Sequence, residues 1–194
     1  SITSTAVIKN LTIDGEINLA GKGAAFVTNN FGGTITRCVN HADIVASSSF
    51  SGGIVGENHS GGSVTYCGNS GNITFNNSAS YFGGIIGYNG SENTVEYCYN
   101  TGNLTNGNYL GGIIGYSAGI ANFEMKNCFN NGIITTTKSI YGGIIGGYAY
   151  FSGRTLKITN CYNSADITAN LAITYGACGE ATVTDGVILT NCYY

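Results

Sequence analysis

Cysteine recurs through this chain on a nearly fixed interval. Cys38, Cys67, Cys98, Cys128, Cys161 and Cys192 are separated by 29, 31, 30, 33 and 31 residues. Each sits in one pattern, apolar-x-x-Cys-x-Asn-x-small-x-Ile/Leu. Three before Cys stand Ile35, Val64, Val95, Met125, Ile158 and Leu189; two after it stand Asn40, Asn69, Asn100, Asn130 and Asn163; six after it stand Ile44, Ile73, Leu104, Ile134 and Ile167. A second block lies between the cysteines: Gly52-Gly-Ile-Val-Gly56, Gly83-Gly-Ile-Ile-Gly87, Gly111-Gly-Ile-Ile-Gly115 and Gly142-Gly-Ile-Ile-Gly146. A tandem unit of about 30 residues points to a solenoid, propeller or array.

The chemistry of the unit selects among these. Gly, Asn, Thr and Ser make up close to half of the 194 residues, and Pro and Trp are absent. Units so rich in Gly and Asn cannot supply helix pairs, and a propeller blade needs about 40 residues. The expectation is an all-β fold: a right-handed parallel β-helix, or β-solenoid, of about six coils forming a single domain over residues 1–194. Residues 1–22 form an atypical first coil or cap, in which Leu11 stands where Cys would be. Like residues of successive coils then stack about 4.8 Å apart. By strand alternation Cys, Asn, Gly/Ala and Ile/Leu all face inward. The asparagines are expected to chain their amides from coil to coil. The paired glycines suit either a turn with positive φ or a place where neighbouring backbone crowds in.

Charge bounds the function. Only 9% of residues are charged, against about 25% in an ordinary domain, and the net charge is -3. A nucleic-acid surface and an electrostatic membrane anchor are excluded, and no apolar run is long enough to insert directly in a membrane. No zinc-protease His-Glu-x-x-His, nucleophile elbow, phosphate loop or dinucleotide fingerprint occurs, so no catalytic residue, metal site or cofactor is assigned. His41 and His59 are expected as solvated turn residues. The six evenly spaced thiols would form one inward column whose parallel Cβ vectors suit disulfides poorly, so a reduced, buried ladder is expected. Cys178, out of register, occupies an Ile position of the degenerate last block.

Two surface features remain. One after Cys, pointing outward, are Tyr99, Phe129, Tyr162 and Tyr193, an aromatic stripe over successive coils that is flat enough to stack on sugar rings or to shield the sheet. Further tyrosines flank the glycine blocks at Tyr81, Tyr88, Tyr109, Tyr116, Tyr141, Tyr148 and Tyr175. Five after Cys stands Asp43, matched in the first unit by Glu16, so a carboxylate pair on adjacent coils is the one enzyme-like feature, suited to a carbohydrate-active β-helix of lyase or hydrolase type.

The blocks Gly53-Ile-Val-Gly56, Gly84-Ile-Ile-Gly87, Gly112-Ile-Ile-Gly115 and Gly143-Ile-Ile-Gly146, each followed by Cys-x-Asn-x-small-x-Ile/Leu, resemble the GLUG-motif repeats of bacterial surface proteins. The likeness covers about residues 10 to 194. Such repeats occur in adhesin-like proteins and in non-catalytic parts of immunoglobulin A proteases of the M26 type. The resemblance implies an extracellular, surface-displayed β-solenoid. With no catalytic motif found, the expected function is a non-enzymatic cell-surface repeat region serving adhesion or acting as a spacer, and the expected partner is a glycan or host surface protein. The chain starts at Ser1 and stops within a unit, so it is expected to be a piece of a longer polypeptide whose signal and anchor lie outside it.

Overall fold

Short strands at each apolar column close into a coil because the residues between them turn the chain through a fixed set of corners. In the computed structural model, one coil runs Val27–Phe31, Thr34–Thr36, Val39–Asn40, Asp43–Ala46 and Ser51–Gly52, and the chain then enters the next coil at Val55–His59. The structure describes residues 1–76, 80–90, 92–118, 122–138, 140–149, 152–169, 178–181 and 186–193. Successive coils stack into five parallel sheets, or walls, of seven, seven, six, six and five strands, taken in the order of the strands just given. This is the expected β-solenoid. The described strands make about five complete turns, with incomplete turns at the ends, and no helix occurs among the described residues.

Register follows the repeat column by column. Ile35 pairs with Val64, Val64 with Val95, and Val95 with Met125 in the second wall. Asn40 pairs with Asn69, Asn69 with Asn100, Asn100 with Asn130, and Asn130 with Asn163 in the third. Cys178 pairs through its backbone with Ile145, as its Ile position requires. Coils differ in length at two corners only. The linker after the first wall grows from two residues, between Phe31 and Thr34, to six, between Ala149 and Leu156. The linker between the fourth and fifth walls varies as well. The corner carrying Cys-x-Asn does not vary.

The lumen holds two apolar clusters. One comprises the inward residues of the first three walls, including Ile35, Val64, Ile85, Ile113 and the cysteines; the other comprises those of the fourth and fifth walls, including Ile44, Ile73, Phe75, Phe82, Leu104 and Tyr141. Between them the two sequence motifs meet face to face. A β-carbon on Gly53 would lie 2.8 Å from Cγ of Asn69; on Gly84, 2.6 Å from Cγ of Asn100; on Gly112, 2.5 Å from Cγ of Asn130; and on Gly143, 2.6 Å from Cγ of Asn163. It would also collide with the carbonyl of the next coil's glycine at the first three. Glycine is needed there because asparagine fills the space from the opposite wall. Of the two explanations for the glycine blocks, crowding is the correct one: none of these four glycines has a positive φ.

The left-handed conformation falls on other residues. The position before each cysteine column, Asn10, Arg37, Tyr66, Tyr97, Asn127, Asn160 and Asn191, has φ between 51 and 56°. A second left-handed column, Phe50, Tyr81 and Tyr109, lies at the start of the fifth wall, with φ of 62, 72 and 47°. One αL residue turns the strand sharply between walls, and Asn adopts it most readily among side-chain-bearing residues.

Candidate binding surface

Buried amides lock the constant corner. Nδ2 of Asn40 donates to Oδ1 of Asn69 at 2.7 Å, and the same bond at the same length links Asn69 to Asn100, Asn100 to Asn130 and Asn130 to Asn163. The second N–H of each amide donates to the carbonyl two residues on, at 2.8 to 2.9 Å. Both donors of Asn40, Asn69, Asn100 and Asn130 are therefore satisfied, as burial demands. Ile13 occupies this column in the first coil, so the ladder starts at Asn40. Sequence reasoning missed a second buried ladder, Asn30 to Asn58 to Asn89, at 2.9 and 3.2 Å; its spacing of 28 and 31 residues was a usable signal. It ends where Ser117 takes the position of Asn89.

The thiols line up as expected: Cys38, Cys67, Cys98, Cys128 and Cys161 are free and buried, and Cys192 is free and half-buried. Their sulfurs donate to backbone carbonyls, as Cys98 does to Val64 and Glu96 at 3.4 Å each. Burial pushes the thiols of Cys38, Cys98 and Cys128 up; for Cys67 the hydrogen bond with Cys98 leads and burial adds to it. The five buried thiols pack as small apolar filler inside the column.

The outer side of the same corner carries the aromatic residues. Tyr99, Phe129 and Tyr162 are brought into one column, with centroids 5.5 and 5.2 Å apart and planes within 12° and 5°; Tyr193 bridges to Tyr162 below. A β-carbon on Gly68 would strike the Tyr99 ring, so that ring lies over the vacancy glycine leaves. Parallel rings this close must overlap face to face, because rings lying side by side would sit further apart. The facing sides of Tyr99, Phe129 and Tyr162 are therefore turned toward one another along the stack. Along its length the column offers ring edges and hydroxyls to solvent in place of the expected platform of faces.

Two residues before this column runs another that the sequence reading overlooked: Arg37, Tyr66 and Tyr97. Tyr66 and Tyr97 stack at 4.6 Å and 2°, and the Arg37 guanidinium lies 5.6 Å from the Tyr66 ring. Both flanks of an inward cysteine point outward, so the period-two argument that found Tyr99 also reaches Tyr97. Below Tyr97 this column changes to Asn127, Asn160 and Asn191, whose exposed amides are linked at 3.1 Å.

The other tyrosines divide. Tyr141 and Tyr148 are buried in the core, and Tyr175 lies outside the described residues. Tyr81 and Tyr109 of the fifth wall and Tyr88 and Tyr116 of the first form one half-buried cluster with Phe50 and His59. Burial raises Tyr88 and pushes Tyr116 up to about 12. Lys22 lies 4.2 Å from the Phe50 ring centre and 2.8 Å from Glu57, which also meets His59 at 3.2 Å. His59 thus ends a strand, half-buried and stacked on Phe31, instead of occupying a solvated turn. His41 is exposed and contacts Ser70.

Glu16 and Asp43 are register partners, as the repeat predicts, beside a shallow groove lined also by Asn18, Asn72 and Thr74. Oδ1 of Asp43 accepts from the backbone N–H of Asn72 at 2.7 Å and from its Nδ2 at 3.2 Å. Asn72 and Asn103 cap the next coils in the same way, at 3.1 and 3.0 Å. Asp43 therefore belongs to a capping column. Among the described residues no group of three or more His, Cys, Asp or Glu is placed to hold a metal, and no helix is long and apolar enough to cross a membrane. The chain matches no family model, no curated protein and no solved structure.

Proposed function

We propose that this chain is a non-enzymatic repeat region of a bacterial cell-surface protein, combining a stiff spacer with an adhesive face, as the likeness to GLUG-motif repeats implies. The observation that carries the reading is the exposed strip along the constant corner, where Tyr66 and Tyr97 in one column hand over to Tyr99, Phe129, Tyr162 and Tyr193 in the next. Tyr66, Tyr97, Tyr162 and Tyr193 are each more than two-fifths exposed. Although the faces stack on one another, the outward edges and hydroxyls stay exposed, and aromatic side chains are favoured at recognition surfaces. Below the strip, the amide ladder and the constant corner give the rigidity a spacer needs.

Binding of the purified chain to a glycan array and to host-cell surface extracts tests the adhesive part. Binding is expected for the wild type and is expected to be lost in a Tyr97→Ser, Tyr162→Ser double variant that keeps its β-sheet circular dichroism. Retained binding in that variant moves the adhesive face elsewhere.

A further inference from the structure

The strip changes chemistry half-way along. At its N-terminal end the outermost group is the Arg37 guanidinium, followed by Tyr66 and Tyr97. In its C-terminal half two columns run side by side without a charge between them: Asn127, Asn160 and Asn191, and Phe129, Tyr162 and Tyr193. The flanking column on the third-wall side is also uncharged, with Asn131 and Ser164 joined by a hydrogen bond. Resting on the adhesive reading above, we propose that this half is the ligand-contacting part of the surface, and that its ligand is an uncharged polysaccharide chain lying parallel to the solenoid axis.

The amide ladder supplies the polar half of the argument. Nδ2 of Asn160 donates to Oδ1 of Asn127, and Nδ2 of Asn191 donates to Oδ1 of Asn160. An amide has two donor hydrogens and two acceptor lone pairs, so each asparagine keeps donor and acceptor capacity after making the ladder. These side chains face solvent, unlike those of Asn40, Asn69 and Asn100, whose donors are all consumed inside. Vicinal sugar hydroxyls, each both donor and acceptor, match such a row. The ring edges of the adjoining column cover the sugar's C–H surface, and the hydroxyls of Tyr162 and Tyr193 add a further polar contact on their two coils.

Spacing and charge supply the other half. One asparagine and one ring recur per coil, about 4.8 Å apart, which is comparable to the advance of one pyranose along an extended chain. The cations flanking this half on the second-wall side are matched by carboxylates, Lys126 lying 3.2 Å from Glu124 and 3.9 Å from Glu96 and Lys157 standing level with Glu124. A carboxylated or sulfated polymer would therefore meet no surplus of positive charge, and a charge held near neutral amides without a partner is penalised. Ligand selectivity is thus expected to favour neutral over acidic chains.

Affinity electrophoresis of the whole chain through gels containing a neutral β-glucan, a neutral mannan or an acidic polygalacturonate tests this. Retardation is expected in a neutral gel and not in the acidic one. Tyr162→Ala and Asn160→Ala are each expected to weaken it at least tenfold, while Glu16→Gln, on the fourth wall and away from the strip, leaves it within twofold. With soluble oligosaccharides, affinity is expected to rise with length up to about three or four sugars, the reach of three coils, and then level off. Circular dichroism and melting temperature of each variant separate binding loss from misfolding, and Asn160→Gln, which keeps the amide, is expected to restore part of the affinity. Binding of neutral glycan that ignores Tyr162 and Asn160 overturns this placement but leaves adhesion standing. Retardation by polygalacturonate alone overturns the ligand class. A wild type that binds no glycan or host-cell component in either experiment overturns the adhesive reading itself.

Discussion

Two corners of each coil use the same backbone device and end up with opposite properties. The corner after the second wall and the corner before the fifth both turn on one left-handed residue, and both place aromatic residues there: Tyr66 and Tyr97 in one, Phe50, Tyr81 and Tyr109 in the other. At the first, the linker length never changes, an amide ladder backs it from inside, and the rings stand exposed. At the second, the linker varies and the rings fold back over the backbone; a β-carbon on Gly147 would lie 2.6 Å from the Tyr109 ring and 3.1 Å from the Tyr116 ring. The left-handed residue is therefore imposed by the geometry of closing the coil, at about 1 to 2 kcal/mol each for a residue with a β-carbon. What surrounds it decides whether its side chain becomes surface or filler.

The sharpest way to break this comparison is to change the two linkers. Inserting one alanine between Tyr97 and Cys98 shifts the strand after it by one position and turns its inward residues outward. Loss of cooperative folding is expected, seen as a collapsed melting transition. The same insertion after Ser48 lengthens a linker that already varies and is expected to cost less than about 1 kcal/mol. Equal damage from both insertions would show that the second corner is as constrained as the first.

Next in size is the amide ladder. Asn100→Ala removes one buried acceptor and two buried donors, leaving Nδ2 of Asn69 and Oδ1 of Asn130 each short of a partner, and is expected to destabilise by about 3 kcal/mol in urea denaturation. Asn163→Ala, at the end of the ladder, is expected to cost about half of that. At the second corner Tyr81→Ala removes contacts to Phe50, Tyr88, Tyr109 and Tyr116 and is expected to cost about 2 kcal/mol, whereas Tyr97→Ala removes one stacking partner and is expected to cost under about 1 kcal/mol.

The two corners also differ in how readable they were. The constant corner was legible because its columns are chemically uniform: six cysteines and five asparagines at one interval dictate which face is inward, and the register agrees. Tyr66 and Tyr97 obey the same alternation but were passed over, because their column begins with Arg37 and continues as asparagine, so no single residue type marks it. The second corner was harder to read because two kinds of aromatic residue flank its glycine blocks. Phe50, Tyr81 and Tyr109 stand two before Gly52, Gly83 and Gly111, whereas Tyr141 stands one before Gly142, level with Leu110, and by strand alternation points into the core. The role of Gly84 and Gly112 could not be read from one strand, since the asparagines that demand them come from the opposite wall.

Alkaline titration separates the corners with the smallest perturbation. Thiols inside the first corner and phenols at the second both have folded-state pKa values above their unfolded ones. The neutral form is then favoured by folding, so the stabilisation is complete below the unfolded pKa and is lost as pH rises through the folded one. Unfolded thiols ionise near about 8.5 and phenols near about 10, so loss at the first corner begins earlier. Stability measured in urea is expected to be flat to about pH 8, to decline from the thiol contribution, and to steepen above about pH 10 as the Tyr88 and Tyr116 phenols join. Tyr116→Phe is expected to leave the earlier decline untouched and soften only the later one, and absorbance titration of the wild type is expected to show one phenol ionising near 12. A Tyr116→Phe variant with an unchanged limb above pH 10 would mean that the second cluster is open to water, and the contrast between filler and surface would fail there.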